Sequence, residues 1–291
     1  NIVIYEKDKK YFAPRYVQEL KKILKKNTNS HFLSGGTDLS LTVTKERKDI
    51  NSLIYINSIN ELNYIRNNNK YIEVGAATPL TVVESYIKKY YPDFTDILKR
   101  YGSIQIRNVA TIAGNIATAS PIGDTLPLLL SLDAKIVLKS IKKTKIISLD
   151  NFFINYRRTK LKKGQFIDSI RIPLFPKNVF KAYKISKRFD DDISSVCASF
   201  NLEIINKKIK NIKIAYGGMA STPKRAKFCE KILLHSVITD EIINKAKKSL
   251  EKDFKPISDM RASKKYRIKV CQNLLEKFYH ETINKKEISV N

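Results

Sequence analysis

The sequence predicts an α+β protein in two parts, and three features of the chain lead to this prediction. Up to about residue 175, segments with helical apolar spacing alternate with short β-branched stretches that are typical of strands. From about residue 176, three strand-like stretches come first and helices follow. Residues 171–178 contain two prolines and form the expected link. We therefore expect a first domain over 1–175 and a C-terminal α+β domain over 176–291.

In the first part, the clearest element is an amphipathic helix over residues 14–26. Val17, Leu20 and Leu24 recur at helical spacing, and Pro14 lies near the start, where proline is well tolerated. The other predicted elements are strands over 31–35, 53–59, 71–78 and 135–140 and helices over 79–91, 94–102 and 126–134. Residues 103–124 have no sustained periodicity, so we expect a long polar loop, and such loops inside compact domains usually have a function.

The second part is predicted to hold a three-stranded sheet and two helices. The strands are expected over 180–186, 194–204 and 209–218, and the helices over 238–252 and 263–283. Thr239 is the predicted N-cap of the first of these helices, because its hydroxyl can accept a hydrogen bond from a first-turn amide. In the last helix every fourth residue from Tyr266 to Phe278 is apolar, which gives that helix one face toward the core.

The chain is strongly basic, with a formal net charge of +27 from 55 lysines and arginines against 28 aspartates and glutamates. The lysines are spread along the whole chain, they do not alternate with aromatic residues, and no nucleic-acid-binding motif accompanies them. We therefore favour a lysine-rich solvated surface over a patch for nucleic acid, while the charge favours acidic partners or substrates.

The cysteines and histidines do not predict a metal site. Cys197, Cys229 and Cys271 lie far apart and form no CxxC pair, so zinc or iron–sulfur ligation within this chain is not expected. The three histidines are equally scattered, and we expect them at the surface or its boundary. Three free thiols fit a reducing compartment, which predicts a cytoplasmic protein.

Targeting and membrane signals are not evident. There is no apolar run of about 18 residues that would predict a transmembrane helix. The first twelve residues lack the layout of a signal peptide. Because the chain begins without Met, we expect a processed chain, a split subunit or a piece of a longer polypeptide.

Glycine is sparse in this chain, and its positions are informative. Seven of the nine glycines fall in three short polar segments, which contain Gly35-Gly36, Gly102 with Gly114 and Gly123, and Gly217-Gly218. Glycine permits positive φ and close approach of the backbone, so such segments can lay N–H groups against phosphates. There is no GxGxxG pattern, and a Rossmann site is not indicated.

The first two glycine segments together predict a cofactor that contains a diphosphate. In SGGTDL, the amides of residues 35–38 and the Thr37 hydroxyl could point at one anion, although a glycine pair before Thr-Asp is also a common turn or cap. The second segment offers many short donors, among them Thr111, Asn115, Thr118 and Ser120. Asp124 can accept a hydrogen bond from a sugar hydroxyl or a ring N–H.

Longer stretches of the chain resemble a known family. The matching stretches are YFAP (11–14), LSGGTDLSLTVTK (33–45), GSIQIRNVATIAGNIATASPIGDTLP (102–127), FFINYRRTKLKKGQFI (152–167), YKISKRFDDDISSV (183–196), AYGGMASTPKRA (215–226) and DMRASKKYR (259–267). They resemble the FAD-binding domain of xanthine dehydrogenases, within the molybdenum hydroxylase family, over essentially the whole chain. The stretch YKISKRFDDDIS and the TK after LSLTV favour the xanthine dehydrogenase branch over carbon monoxide or nicotinate-type relatives.

The resemblance implies both a fold and a function. The fold would be a two-subdomain FAD-binding fold of the PCMH-like type, with subdomains 1–57 and 58–175, followed by a domain of the CO dehydrogenase flavoprotein C-terminal type. The function would be that of an FAD-binding electron-transfer component, which passes electrons from iron–sulfur clusters through FAD to NAD⁺ or O₂. A molybdenum cofactor and 2Fe–2S clusters would lie on partner chains or segments.

The same resemblance assigns residues to the cofactor. The residues that would wrap or continue the FAD diphosphate cradle are Leu33, Ser34, Gly35, Gly36, Thr37, Asp38, Leu39, Ser40, Ala110, Thr111, Gly114, Asn115 and Ile116. Asp124 would bind a hydroxyl of FAD, and Tyr101 and Ile167 would pack on its rings. Lys184 would lie near the polar edge of the isoalloxazine, where a cation stabilises the anionic reduced flavin. Asp191 and Tyr156 would lie near the face open to nicotinamide.

Two departures from the family pattern and two rival functions stay open at this point. Ala113 stands where the family usually has glycine, and positive φ there would cost roughly 1 kcal/mol. Ser34 replaces a small apolar residue. The rivals are a stand-alone flavin oxidoreductase of the same fold and a non-enzymatic module, either a degenerate scaffold or a basic nucleic-acid binder. Each assigned residue also has an ordinary alternative, such as core packing for Tyr101 or an acidic turn for Asp191.

Overall fold

The computed structural model describes residues 1–282. Its first sheet has four strands in the order β1-β2-β4-β3, with β1 at Ile2–Glu6, β2 at Lys9–Ala13, β3 at His31–Leu33 and β4 at Ser52–Tyr55. Helix α1 (Val17–Lys26) buries Leu20 and Leu24 against this sheet together with Ile54. A short helix, α2 (Ser40–Thr44), follows the first glycine pair. The β1-β2 hairpin was not predicted, because β1 is exposed along its whole length and lacks a buried alternating pattern.

The second sheet has five strands, all antiparallel, in the order β5-β6-β11-β7-β8. Its strands are β5 (Ile65–Asn67), β6 (Tyr71–Gly75), β7 (Lys135–Lys139) and β8 (Thr144–Ser148), then, after a small ribbon of β9 (Phe153–Asn155) and β10 (Arg158–Thr159), the central strand β11 (Phe166–Pro173). Strand β11 was not predicted as a separate element. It lies at the centre of the sheet, and side chains on both of its faces are buried.

Five helices connect β6 to β7: α3 (Leu80–Ile87), α4 (Pro92–Lys99), α5 (Ile104–Arg107), α6 (Ile112–Thr118) and α7 (Thr125–Ser131). The prediction of a long loop over 103–124 was therefore wrong. Helices α5 and α6 are each two turns or shorter, so their apolar spacing never repeats often enough to be seen in the sequence. Their caps hold them instead, since Ser103 and Thr111 accept hydrogen bonds from the amides of Ile106 and Gly114.

The C-terminal part contains the three predicted strands and one short additional strand. The sheet order is β12-β13-β14-β15, with β12 at Val179–Ile185, β13 at Val196–Ile205, β14 at Lys208–Gly217 and the two-residue β15 at Lys224–Arg225. Helices α8 (Lys227–Leu233), α9 (Asp240–Asp253) and α10 (Lys264–Thr282) follow, and Thr239 caps α9 as predicted. The predicted end of the last helix at residue 283 lies outside the described residues.

Helix α7 joins the two parts. All seven of its residues are buried, and it packs against α4 and α6 of the first part and against the C-terminal strands β13 and β14. Ser131 at its end makes a 2.6 Å hydrogen bond with the hydroxyl of Ser199 on β13. The two parts are therefore in direct contact along helix α7. The predicted domain boundaries at 57 and 175 stay predictions.

No helix among residues 1–282 is both long and apolar enough to cross a lipid bilayer. The three cysteines are free and buried, and His31 and His235 are exposed, as expected for surface histidines.

Candidate functional site

A cleft of about 620 Å³ lies where the first two glycine segments meet the edges of β11 and β12. This volume is within the range of cofactor sites in proteins. The structure brings fifteen of the sequence-predicted residues into the lining of this cleft: Ser34, Gly35, Gly36, Thr37, Asp38, Leu39, Tyr101, Ala110, Thr111, Gly114, Asn115, Asp124, Ile167, Lys184 and Asp191. Two segments that are about 75 residues apart in sequence therefore face the same space.

The first glycine segment runs so close to the second that a side chain at Gly35 has no room. A Cβ built there would lie 2.1 Å from the carbonyl oxygen of Val109. Gly36 has a φ of +69°, a conformation that residues with a side chain rarely adopt. Among the described residues, the amides from Gly35 to Leu39 donate no hydrogen bond. The loop thus presents a run of unpaired N–H groups beside the cleft.

The second segment adds the start of α6. Thr111 caps this helix through a 3.0 Å hydrogen bond from the amide of Gly114. Ala113 lies inside the helix and is not among the residues with positive φ, so the strain that the departure from glycine raised does not arise. Ser34, the other departure, donates its hydroxyl to the side-chain oxygen of Asn57 at 2.7 Å, so this polar group has a partner.

A buried ion pair stands at the floor of the cleft. Lys184 Nζ lies 2.8 Å from Asp124 Oδ2, and both side chains are almost fully buried. Lys184 also donates to the carbonyl oxygen of Arg100 at 2.8 Å. Ser194 Oγ donates to the other oxygen of Asp124 at 2.6 Å. Two charges out of water need such partners to be tolerated, and here Arg100 and Ser194 provide them.

Tyr101 is held as a neutral hydrogen-bonding group beside this pair. Burial raises the pKa of its phenol, and the carboxylates of Asp124 and Asp38 raise this pKa further. The hydroxyl therefore stays protonated at neutral pH. Asn115 Nδ2 lies 3.3 Å from the phenol oxygen, and the Asn115 oxygen accepts from Thr125 at 2.5 Å. This chain of bonds fixes the orientation of the ring.

Three polar residues at the site were not singled out from the sequence. Arg157, on the turn between β9 and β10, forms an ion pair with Asp38 across the mouth of the cleft. Ser194 is the partner of Asp124, and Arg100 donates to the carbonyl oxygens of Lys184 and Phe189. Ser194 and Arg157 lie inside stretches that matched the family, but nothing local distinguishes them from their neighbours.

Four predicted residues do not line the cleft, namely Leu33, Ser40, Ile116 and Tyr156, and their roles toward the cofactor stay predictions. Ile116 is fully buried in the core, because it lies on the inner side of α6. Ser40 donates its hydroxyl back to the carbonyl oxygen of Gly36, four residues earlier, at 2.6 Å. Leu33 ends β3 and packs beside Gly36, and Tyr156 is exposed on the β9-β10 turn.

The third glycine segment is also outside the cleft. Gly218 has a φ of +79°, and its amide donates to the carbonyl oxygen of Pro121 at 2.7 Å. Its N–H group is therefore already paired and does not serve a phosphate. This segment therefore forms a bend after β14, while the cofactor prediction rests on the first two glycine segments.

Comparison with known proteins identifies the chain. Residues 6–175 match the family described as the FAD binding domain in molybdopterin dehydrogenase. The chain belongs to this family. Residues 181–282 match the CO dehydrogenase flavoprotein C-terminal domain, so the molybdenum hydroxylase flavoprotein includes both parts. It is an FAD-binding oxidoreductase component, which confirms the predicted family, fold class and cofactor.

Named relatives come from several enzymes of this class. The flavoprotein is 29% identical to a xanthine dehydrogenase of Emericella nidulans over 97% of this chain and 22% of that protein. It is 29% identical to the glyceraldehyde dehydrogenase medium chain of Sulfolobus acidocaldarius, over 96% of this chain and 99% of that one. It is 26% identical to the nicotinate dehydrogenase FAD-subunit of Eubacterium barkeri, over 98% and 99%. The chain thus spans about a fifth of the xanthine dehydrogenases and nearly all of the separate subunits.

Solved structures share the fold of the flavoprotein. The carbon monoxide dehydrogenase of Hydrogenophaga pseudoflava matches with a TM-score of 0.87 at 24% identity, over 94% of this chain and 96% of that chain. The quinoline 2-oxidoreductase of Pseudomonas putida 86 matches with a TM-score of 0.83 at 20% identity, over 92% and 94%.

The residues of the cleft fit FAD. The unpaired amides from Gly35 to Leu39 suit a diphosphate, which accepts hydrogen bonds and carries negative charge. Asp124 and Asn115 suit hydroxyl and ring N–H groups, and Ile167 and Tyr101 supply apolar surface for rings. Lys184 is the buried cation of the site.

Proposed function

We propose that this flavoprotein is the FAD-binding electron-transfer component of a xanthine dehydrogenase-like molybdenum hydroxylase. In this role it would pass electrons from 2Fe–2S clusters through FAD to NAD⁺ or O₂. The observation that carries the proposal is the cleft in which unpaired backbone amides at one side face a buried Lys184–Asp124 pair at the floor. FAD supplies the redox chemistry when bound, because its isoalloxazine ring can be reduced and reoxidised.

The chain's own residues would bind and orient FAD. The amides of residues 35–39 would hold the diphosphate without any side chain, which explains why glycine is needed where the two segments touch. Asp124, which accepts hydrogen bonds from Lys184 and Ser194, would also accept from a hydroxyl of the cofactor. Tyr101, kept neutral, would pack on a ring and keep water out.

We propose that the Lys184 ammonium affects the redox potential of the bound flavin. A buried cation near a cofactor favours the more negative state of that cofactor. The ammonium is already bonded to Asp124 and to a backbone carbonyl, so its position is fixed before the cofactor arrives. We propose that this preorganised charge holds the flavin potential where an incoming relay can reduce it.

The acceptor side of the cleft is proposed to take nicotinamide. Asp191 and Asp192 line the cleft at the turn after β12, and Asp191 has a φ of +49°. Tyr156 lies on the neighbouring β9-β10 turn next to Arg157, which lines the same mouth. We propose that a second ligand would reach a bound ring from the side of these groups.

We propose the partners by analogy with the relatives and the location from the three free cysteines. Because most of a xanthine dehydrogenase lies outside the matched part, we propose that a molybdenum-cofactor component and a 2Fe–2S component join this chain, by analogy with those relatives. The protein is proposed to be cytoplasmic and to take part in purine catabolism.

The test is the visible spectrum of the purified full chain, before and after addition of FAD and desalting. Flavin absorption that survives desalting supports the cofactor site. NADH is then added under anaerobic conditions, because reversed electron flow needs no molybdenum partner. Bleaching of the flavin supports NAD⁺ as acceptor, whereas bound FAD that NADH leaves oxidised removes the NAD⁺ part of the proposal. A chain that retains no FAD alone or with the partner components overturns the whole proposal in favour of a scaffold.

A further inference from the structure

The third glycine segment meets the buried side chain of Arg267 instead of a ligand. A Cβ at Gly218 would lie 2.4 Å from the carbonyl oxygen of Ser195 and 3.0 Å from Arg267 Nη1. Only glycine fits in that space, and only glycine readily adopts the φ of +79° found there. The glycine at position 218 is therefore explained by close packing around the guanidinium of Arg267.

Arg267 is almost inaccessible to solvent and is bonded on several sides. Its side chain lies on α10 and is 1% exposed. Nη1 donates to the carbonyl oxygen of Ser195 and, at 3.1 Å, to that of Gly218. Nη2 donates to Asp259 Oδ1 at 2.7 Å. A planar fork can serve these acceptors together, whereas an ammonium group cannot match their spacing.

One arm of this junction leads to the floor of the cleft through Ser195. The amide of Ser195 donates to the carbonyl oxygen of Ile185 at 2.8 Å, next to Lys184. The preceding residue, Ser194, donates its hydroxyl to Asp124 at 2.6 Å. Holding the Ser195 carbonyl therefore fixes the place of a donor to the buried ion pair.

A second arm leads to the loop that follows α6. The amide of Gly218 donates to the carbonyl oxygen of Pro121 at 2.7 Å. The neighbours of Pro121 in sequence, Ser120 and Ile122, both line the cleft. Both arms start at Nη1 of the Arg267 guanidinium, and they end at two different walls of the same cleft.

We infer that Arg267 is a positioning residue for the cofactor cleft, which acts through Ser194 and Asp124 and through Pro121 without touching the ligand. The inference rests on the proposed function, because it concerns the FAD that the cleft is proposed to hold. It assigns a role to the C-terminal domain. The other buried residues of α10 pack in the hydrophobic core of that domain, whereas Arg267 helps to set the geometry of a cleft that is lined mostly by residues 1–175.

The test measures the dissociation constant of FAD by titration of the full chain, for the wild type and for Arg267→Lys. The matched control is Arg225→Lys, which alters another mostly buried arginine of the same domain, bonded to Glu230 and outside the cleft lining. Arg267→Lys is expected to weaken FAD binding by about tenfold and Arg225→Lys by less than about twofold, because only the first reaches the cleft. Equal effects of the two variants would overturn the inference.

A double-mutant cycle separates positioning from general loss of stability. If Arg267 acts through Ser194, the combined variant of Arg267→Lys and Ser194→Ala loses less affinity than the product of the two single losses. Independent, multiplying losses contradict the inference. Should Arg267→Lys fail to fold, Asp259→Asn loosens the same guanidinium from a less buried position and is measured in its place. A wild type that binds no FAD contradicts the proposed function, whereas a wild type that binds FAD with unchanged variants contradicts only the role of Arg267.

Discussion

At the scale of single residues, the site depends on charges that are placed before any ligand arrives. Lys184 and Asp124 lie on different elements, 60 residues apart, and each is nearly inaccessible to water. Such a pair does not by itself increase stability, since desolvation offsets much of the attraction, but loss of one partner leaves a bare buried charge. The pair is therefore a sensitive probe of whether the cleft is formed as described.

Lys184→Met is expected to lower the free energy of unfolding by about 3 kcal/mol, because Asp124 stays buried without its cation. The double variant with Asp124→Asn should recover part of this loss. Urea unfolding followed by far-UV circular dichroism measures both. Lys99→Met, which breaks an exposed pair with Asp96, is the control and should leave the midpoint unchanged. A Lys184→Met midpoint equal to that of the control would contradict the buried pair.

Asp259 gives the molecule a stability term that depends on pH. Burial acts to raise its pKa, but the amides of Arg261 and Ala262 and the guanidinium of Arg267 outweigh burial and lower the pKa from 3.8 to about 2. A carboxyl with a lowered folded-state pKa contributes stability above its unfolded pKa, and this contribution is lost as the pH falls toward the folded value.

The stability difference between wild type and Asp259→Asn should therefore be full at pH 5 and shrink between about pH 4 and pH 2. Urea midpoints for the two proteins across this range give the measurement. Glu6→Gln, which removes an exposed acid on β1, serves as the comparison for general acid effects. A difference that stays constant from pH 5 to pH 2.5 would show that Asp259 is not held as described.

At the scale of elements, short capped helices and tight turns shape the cleft. Helix α6 begins where the Thr111 hydroxyl accepts from Gly114, and the loop before α2 passes within contact distance of Val109. These elements are too short to be stable alone, so packing between them and their caps must hold them. Crowding at Gly35, rather than a special backbone angle, is what fixes the approach of one segment to the other.

Gly35→Ala is expected to push the first two glycine segments apart and to abolish retention of FAD on desalting. The new Cβ would overlap the backbone oxygen of Val109, which cannot move aside by a change of side-chain rotamer. Gly164→Ala is the matched control: its φ of +75° makes alanine strained, but the space around it is open. The control should lose about 1 kcal/mol of stability and keep its flavin. Retention of FAD by Gly35→Ala at wild-type level would contradict the close approach.

At the scale of the whole molecule, the two matched domains share helix α7. This helix is buried on every side, and its last residue bonds to β13 through Ser199 and accepts from Asn201 at 3.1 Å. Asp133, just after the helix, pairs with Lys213 of β14 at 2.7 Å. The contact between α7 and the strands β13 and β14 is thus buried like a hydrophobic core, and its two sides belong to the two matched domains.

A fragment of residues 1–175 is therefore expected to lose native packing, because the face of α7 that meets β13 and β14 would be exposed to water. Near-UV circular dichroism and binding of a hydrophobic dye to the fragment measure this, with the full chain as control. The full chain should unfold in a single transition. A fragment that keeps native near-UV signals and unfolds cooperatively would show that the domains are independent.

The sequence predicted the long secondary-structure elements better than the short elements and the individual residues of the cleft. Helices α1, α3, α4, α7 and α9 and the three long C-terminal strands repeat their apolar pattern often enough to be found. Helices α5 and α6 and the exposed β1 were missed, because two turns or fewer give no period and an exposed strand gives no alternation. For the cleft, fifteen of the predicted residues are in its lining, but the motif stretches do not indicate which of their residues face the core, as Ile116 does.

The sequence by itself determined the family, the cofactor class and the positions where glycine is required, because local backbone freedom and short motifs are written in neighbouring residues. The tertiary structure decided that Ile116 belongs to the core and that Gly218 makes room for Arg267. It also paired Arg157 with Asp38, 119 residues away. Such pairings depend on strand register and on how helices pack, which are properties of distant segments together, and no local pattern encodes them.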